Sequence, residues 1–372
     1  MKIYSIILIA ALLVLVSSCS PALPQDSTKE GSARPLKFGA VYQLSGPQAY
    51  YGDMARYGLE LAVEDINSAG GIDGRKVVVV YEDSAGDKSK ATTSAKKLIE
   101  VDDVDALFTI TPPMAGSVSP VAEGGKVPYI YIGSADIFAI NKSYVFKDYP
   151  SPIDLCKVLA VKAKDEGYSS IALFGRNDEV TSLCKDGATG ISNLSIFETY
   201  NPGDFDFKAQ LSKIKASKSE ALILYGLADE CPALFKQIKE LGLDVRLFLP
   251  VQSFACGSDA NTKPYEGLLS GAFGSDIALD EASQDPTFLS FKKRLGERNW
   301  AIHIRGSALE YDIVNEMAEA YKGCQDHACA ADHLRLLQRK GLTGAVSYEG
   351  GQIVRREVML TKFSDGKWVK AE

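Results

Sequence analysis

The sequence predicts an α/β protein made of two doubly wound parallel-sheet lobes, and three observations carry that expectation. Short apolar runs alternate with amphipathic stretches along most of the chain. Some of those runs, such as Val77 to Val80, are continuous and β-branched, as in strands buried on both faces. The stretch after residue 35, about 340 residues, exceeds what one hydrophobic core usually serves.

The chain opens on a targeting segment rather than on fold. Lys2 supplies positive charge, Ile3 to Val16 form an apolar run, and VSSC closes it at Cys19. The run is too short to span a bilayer comfortably. A small-residue pair directly before Cys is the pattern of a lipoprotein signal at 1–18, in which Cys19 becomes the lipidated terminus; a plain signal peptide with a stray Cys is the alternative. Residues 19–35 then form a polar tether without periodicity.

Phe38 to Tyr42 reads as the first strand, ended by Ser45, Gly46 and Pro47. Leu59, Ala62, Val63 and Ile66 place an apolar stripe on the helix from Met54, which Gly70 and Gly71 stop. Val77 to Val80 is the second strand, and Ala91, Ala95, Leu98 and Ile99 mark the second helix. Ala106 to Ile110 and Tyr129 to Ile132 are two further strands, so the loops TPPMAG and GSADIF project from the same sheet edge as the first loop. After Tyr144 to Phe146, Pro150 and Pro152 mark a crossing between lobes. A helix from Ile153 to Glu166 opens a second series, with strands at Ile171 to Phe174, Ile196 to Tyr200, Ala221 to Tyr225 and Val245 to Leu249. Its helices are expected near Phe205 to Ala216 and Cys231 to Leu241. Phe288 to Arg298 and Ser307 to Lys322 are amphipathic helices, and Val346 to Trp368 reads as a hairpin.

Composition narrows the function. At 46% hydrophobic and 24% charged there is apolar material for full cores, and the net charge of −7 with no basic stripe argues against a nucleic-acid partner. Lys208 to Lys218, interleaved with Leu211 and Ile214, is a solvated helix face. Setting Cys19 aside leaves six cysteines, an even number in an exported chain, which suggests disulfides. Six allow 15 pairings; nearest-neighbour pairing gives Cys156 with Cys184, Cys231 with Cys256, and Cys324 with Cys329. A metal at CQDHAC with His327 and His333 is disfavoured, because two separated ligand pairs at finger spacing are lacking. No nucleophile elbow, phosphate loop or acid/base pair stands out, and Asp102, Asp103 and Asp105 read as an Asp-rich turn. The chain is expected to be no enzyme and to need no cofactor.

Several strings, in order, resemble a known family: YQLSGPQAYYGDM, GLELAVEDINSAGGIDG and EDSAGDKSKA, then VPYIYIGSA, NPGDFDFKAQLSKIK, LFKQIKELGL, SALEYDIVNEMAEA and LTGAVSYEGG. Together they are similar to the branched-chain-amino-acid type of ABC-transporter solute-binding proteins, from about Leu36 to the C-terminus. The resemblance implies the type I periplasmic binding fold, whose chain crosses its hinge three times. It places 36–148 plus 275–342 in the first lobe and 149–274 plus 343–372 in the second. It also implies a monomer tethered by its lipid outside the cytoplasm, closing on a small ligand and presenting it to an ABC permease. A ligand-sensing receptor on the same fold is the alternative.

In the resembled binders, hydroxyls after the third strand take the ligand carboxylate, a Thr follows the fourth strand, and the second lobe supplies tyrosines and an acid for the ammonium. Carried over, the first-loop aromatic is Tyr51. Thr111 retains one hydroxyl, but Pro112 cannot donate. The Thr position falls on Ala135, flanked by Ser134 and Asp136 and preceded by Gly133. The tyrosine positions fall on Val180 and Leu227, and the acid position on Val251 beside Gln252. A slip of one residue brings in Glu179, Tyr225 or Gln252 instead. A pocket lined by Pro112, Val180 and Val251 would leave a zwitterion's charges unpaired, at a cost of several kcal/mol. A less charged or differently charged solute is therefore expected, with Tyr50, Tyr51, Tyr131 and Met114 as apolar walls and Asp136 or Glu179 facing a cationic group.

Overall fold

The computed structural model describes residues 34–251, 256–257, 259–300, 304–349 and 353–371. The leader, most of the tether, Cys19 and Gln252 lie outside them.

The chain runs β1 (Leu36–Tyr42), α1 (Ala49–Ser68), β2 (Val77–Asp83), α2 (Lys88–Glu100), β3 (Ala106–Ile110), α3 (Pro112–Gly125), β4 (Tyr129–Ile132) and β5 (Val145–Lys147). It continues through α4 (Pro152–Asp165), β6 (Ile171–Arg176), α5 (Glu179–Thr189), β7 (Leu194–Tyr200), α6 (Lys208–Ala216), β8 (Ala221–Leu224), α7 (Cys231–Glu240) and β9 (Arg246–Pro250). The short helices α8 (Asp259–Thr262) and α9 (Glu266–Leu269) precede β10 (Phe273–Ile277), and α10 (Pro286–Glu297), α11 (Ile304–Ala320) and α12 (His327–Arg335) follow it. Five strands close the chain: β11 (Gln338–Gly341), β12 (Gly344–Glu349), β13 (Ile353–Arg356), β14 (Val358–Ser364) and β15 (Lys367–Lys370).

Among the described residues these strands form two sheets. One has the order β11-β12-β13-β5-β4-β3-β1-β2, the other β15-β14-β10-β9-β8-β6-β7. Each contains a parallel core in which the second strand lies outside the first and the third to fifth lie on the other side. The chain therefore reverses direction at β1/β3 and at β6/β8, the crevices where such sheets take ligands.

Local chemistry explains most boundaries. Asp87, Ser151, Asp178, Asp285 and Asp326 cap the helices that follow them with their side-chain oxygens. The pair Pro112–Pro113 starts a helix inside what the sequence marked as a loop, because proline suits the first turn, where an amide has no intrahelical acceptor. Helix α1 begins five residues before the expected Met54, at Ala49. It lies close against α11: a Cβ on Gly58 would sit 2.1 Å from the Ser307 carbonyl oxygen.

The expected hairpin over Val346 to Trp368 is two hairpins in different sheets. Residues 344–356 pair within the first sheet, 358–370 within the second, and the chain changes lobe at Glu357 rather than near 342. The strand β10, unforeseen in the sequence, belongs wholly to the second sheet, so the middle crossing follows Ile277 instead of preceding Ser275. All three nearest-neighbour disulfides are formed, with Cα separations of 5.1, 5.1 and 5.6 Å. The gathering of Cys324, Cys329 and His333 thus has its two sulfurs bonded to each other and unavailable as thiolates.

The crossings are tied by buried polar groups. The Arg356 guanidinium binds Asp148 and Glu316, with Nη2 2.7 Å from a carboxylate oxygen of each and Nη1 2.7 Å from the Thr343 hydroxyl. All three charged side chains are 0% exposed. Burial, then Asp148, pushes the Glu316 carboxyl well up. At the other two crossings Tyr149 donates to Asp276 at 2.7 Å. Nearby, Glu310 accepts from Tyr42 at 2.5 Å, and burial, reinforced by Asp148, raises it from 4.5 to about 8.

Two outcomes follow. Arg356→Met strands two buried carboxylates and is expected to cost about 3–5 kcal/mol in urea unfolding, without loss of the native circular-dichroism spectrum. Folded Glu310 holds a proton that the unfolded chain releases, so its contribution to stability falls as pH rises from 4.5 to about 8. Melting curves of Glu310→Gln should match the wild type near the lower limit and lie several degrees above it near the upper one.

Candidate ligand-binding site

The carboxyl ends of both sheets' strands face one another across a cavity of about 430 Å³, within the range typical of small-molecule sites. From the first lobe it is lined by Tyr51 on α1, Thr111 and Pro112 at the β3–α3 junction, Gly133, Ser134 and Ala135 after β4, and Tyr149 at the first crossing. Arg176, Asp178, Glu179 and Val180 line it at the β6–α5 junction, Tyr225 and Leu227 after β8, and Val251 after β9. Most of this wall is apolar or aromatic.

Two wall residues hold unusual backbone. Thr111 has φ +78° and Val251 has φ +54°, a left-handed region that β-branched residues rarely enter, at a cost on the order of 1–3 kcal/mol. One belongs to each lobe, and both directly follow a strand. Thr111 is held by its amide to the Ile132 carbonyl at 2.8 Å and by Gln43, whose Nε2 donates to its hydroxyl at 2.9 Å.

Helix α3 points its start at the cavity, yet it has prolines at its first two positions. Two of the amides that would otherwise be aimed at an anion are absent. The wall has two cationic side chains, Lys88 at the start of α2 and Arg176, which is committed elsewhere: it lies 2.8 Å from Glu230 and 3.2 Å from Asp178. Burial works against its charge, but Glu230 leads the interactions that hold its pKa above the ordinary value. Glu230, itself buried, also accepts from Tyr200 at 2.7 Å and from the Leu227 amide at 2.9 Å.

The lining also carries two carboxylates, Asp178 and Glu179. Burial raises the Asp178 carboxyl, and burial followed by repulsion from Asp136 and Asp178 raises that of Glu179. Asp136 sits in the first lobe and Glu179 in the second, so the repulsion from Asp136 acts across the cleft. The Tyr225, Tyr149 and Tyr51 hydroxyls are all raised, chiefly by burial. The Ala228 backbone engages the Tyr51 oxygen from the other lobe.

The cavity thus brings together Tyr51, Thr111, Pro112, Gly133, Ser134, Ala135, Glu179 and Tyr225. Met114 is not in its wall. One position beyond the prolines it turns into the core under α3, in the cluster that also holds Tyr129 and Tyr131. Tyr131 is spent on the Ala135 carbonyl, at 2.6 Å. Asp136 also falls outside the lining and pairs at 2.7 Å with Lys147, whose side chain is 0% exposed. Sequence reasoning missed Arg176, Asp178 and Tyr149. The triplet Arg176-Asn177-Asp178 at the carboxyl end of an apolar strand was the available signal for the first two.

Two facing lobes, each a doubly wound sheet, with a cavity between their strand ends, define the architecture of a two-lobed solute-binding protein. The profile described as Periplasmic binding protein matches residues 35–366, and the chain belongs to that family. The Leu/Ile/Val-binding protein homolog 7 of Brucella suis biovar 1 is 23% identical, the match covering 90% of each chain. The branched-chain amino acid transporter substrate-binding protein LivJ of Streptococcus pneumoniae, solved with isoleucine, superposes with a TM-score of 0.80 at 20% identity, over 91% of this chain and all of that one. A solute-binding protein of R. palustris in complex with 4-hydroxybenzoate gives 0.79 at 18% identity, covering 91% and 96%. The R. palustris neighbour is the solute-binding protein of an ABC transporter, and its own family makes this chain a binding protein rather than an enzyme.

Glu230 is the buried anchor of the second lobe's wall. Glu230→Ala is expected to destabilise by about 3 kcal/mol, since it removes one partner of a buried ion pair; urea titration reads it.

Proposed function

We propose that this protein, exported and anchored through a lipid on Cys19, captures a flat, largely apolar solute and delivers it as a monomer to an ABC importer. The solute's polar end donates hydrogen bonds or carries a positive charge, and it has no carboxylate. The observation that carries this reading is the electrostatic balance of the cavity. Arg176 and Lys88 stand against Asp178 and Glu179 in the lining, and Glu230 backs Arg176. An added carboxylate would meet prolines where amides are needed, whereas an added cation relieves the crowding at Glu179.

The relatives frame this choice without making it. LivJ holds isoleucine, a zwitterion, and the R. palustris protein holds 4-hydroxybenzoate, an aromatic acid. The second shows that the fold takes a flat ring. The carboxylate that both ligands carry has no counterpart donor set at Pro112 and Pro113 here.

A thermal-shift and calorimetric series at neutral pH tests the reading with benzylamine, benzamide, benzoate and leucine. Benzylamine or benzamide should stabilise the fold, by about 2.7 kcal/mol at a hundred times its dissociation constant, while benzoate and leucine do not. Binding of leucine or benzoate ahead of the other two would refute it. Because burial and then repulsion from Asp136 raise the Glu179 carboxyl above its ordinary value, amine affinity should weaken as acid protonates it, and Glu179→Gln should remove that dependence.

A further inference from the structure

The disulfide between Cys231 and Cys256 differs from the other two in what it joins. Cys156–Cys184 links α4 to α5 along their packed bodies, and Cys324–Cys329 closes the turn into α12. Cys231–Cys256 links the segment after β8 to the segment after β9, and each of these carries a wall of the cavity, Tyr225 and Leu227 on one and Val251 on the other.

Its sulfurs rest on the backbone of that wall. Cys231 Sγ lies 2.9 Å from the Leu227 carbonyl oxygen and 3.5 Å from that of Gly226, and Cys256 Sγ lies 3.8 Å from the same Gly226 oxygen. Gly226 is wedged: a Cβ there would sit 2.8 Å from Leu234 and 2.9 Å from the Tyr200 hydroxyl oxygen. The far side of the bond is fixed too, since Trp368 donates to the Gly257 carbonyl at 2.8 Å, and Asn261 does so to that of Ala228. Val251, five residues before Cys256, has a positive φ of +54°, a conformation that persists only where its surroundings over-determine it.

We infer that Cys231–Cys256 positions the second lobe's wall of the ligand cavity, Tyr225, Leu227 and Val251 together, and so sets affinity for the solute beyond any contribution to the fold. The inference rests on the cavity being the solute site, as proposed above. The bond acts through backbone, and neither cysteine lines the cavity.

Hydrogen exchange on the ligand-free protein decides this without a ligand. The wild type is compared with Cys231→Ala/Cys256→Ala and, as a control, Cys324→Ala/Cys329→Ala. Opening the first bond should speed exchange of amides 225–230 by about tenfold or more, leaving β6 and the first lobe unchanged, because the opening is local; the control pair should leave 225–230 as in the wild type. Unchanged exchange at 225–230, or a rise spread evenly over the second lobe, would overturn the inference.

If the double variant does not fold, the wild type opened by dithiothreitol serves, mass spectrometry showing which bond has gone. The dithiol gives two electrons and two protons to the sulfurs and closes to its own cyclic disulfide. The same two exchange patterns decide the outcome. Benzylamine titration adds the affinity readout: a dissociation constant raised about tenfold, or 1.4 kcal/mol, in the first variant and not in the control supports the inference, and an equal constant overturns it. If benzylamine fails to bind even the wild type, the ligand reading falls, while the exchange comparison still decides the role of the bond.

Discussion

Arg356 is the residue on which the two-lobed arrangement turns. It ends the last strand of the first sheet, one residue before the chain leaves for the second. Asp148, its principal partner, directly follows β5, where the chain first makes the same journey. Two crossings are thereby pinned to each other and, through Glu316, to α11. Tyr149 and Asp276 pin the first crossing to the middle one. Buried charges that would be costly alone are each other's solvent here, and rupture of the set leaves at least one of them unpaired in a dry interior. Relative motion of the lobes has to pivot about this set rather than pull it apart.

With the pivot fixed there, the strand ends of both sheets oppose one another, and the chemistry of the cavity follows from what sits at those ends. Thr111 and Val251 are bent into left-handed backbone, one in each lobe. Gln43 and the Ile132 carbonyl hold the first in place. Two prolines blunt the anion-attracting start of α3, and Glu230 neutralises Arg176 from behind. On the proposed reading such a wall, with Asp178 and Glu179 in its lining, disfavours negative charge by leaving it unsatisfied, and a shared scaffold changes specificity in this way without changing its fold.

The parts legible in the sequence were those where one physical signal dominated. Val77 to Val80 and Ala106 to Ile110 are apolar runs and they are strands, but only the second is buried throughout: β2 is the edge of its sheet and Val78 is 39% exposed, so its run of valines does not mark a strand buried on both faces. The strand Phe273–Ile277 was hidden because FGSDI puts Ser275 and Asp276 in the interior, where Asp276 is tolerated through Tyr149, a partner 127 positions away. Arg356 reads as a surface charge for the same reason, since the carboxylates that admit it to the core come from the residue after β5 and from α11. At the site, Asp136 looked available to a ligand until a buried lysine, Lys147, was found to hold it. Met114 follows the prolines in sequence but lies on the buried side of the helix they begin. Long-range pairing and helix rotation are the two things a linear pattern does not display.

A crystal structure of the mature protein with the solute that co-purifies with it, identified by native mass spectrometry, tests the central claim directly. Density is expected in the cavity between Pro112 and Val251, with the polar end of the solute donating toward Glu179 or Asp178 and no carboxylate at the start of α3. A carboxylate seated on α3 or on Arg176, or a solute bound away from this cavity, would contradict it.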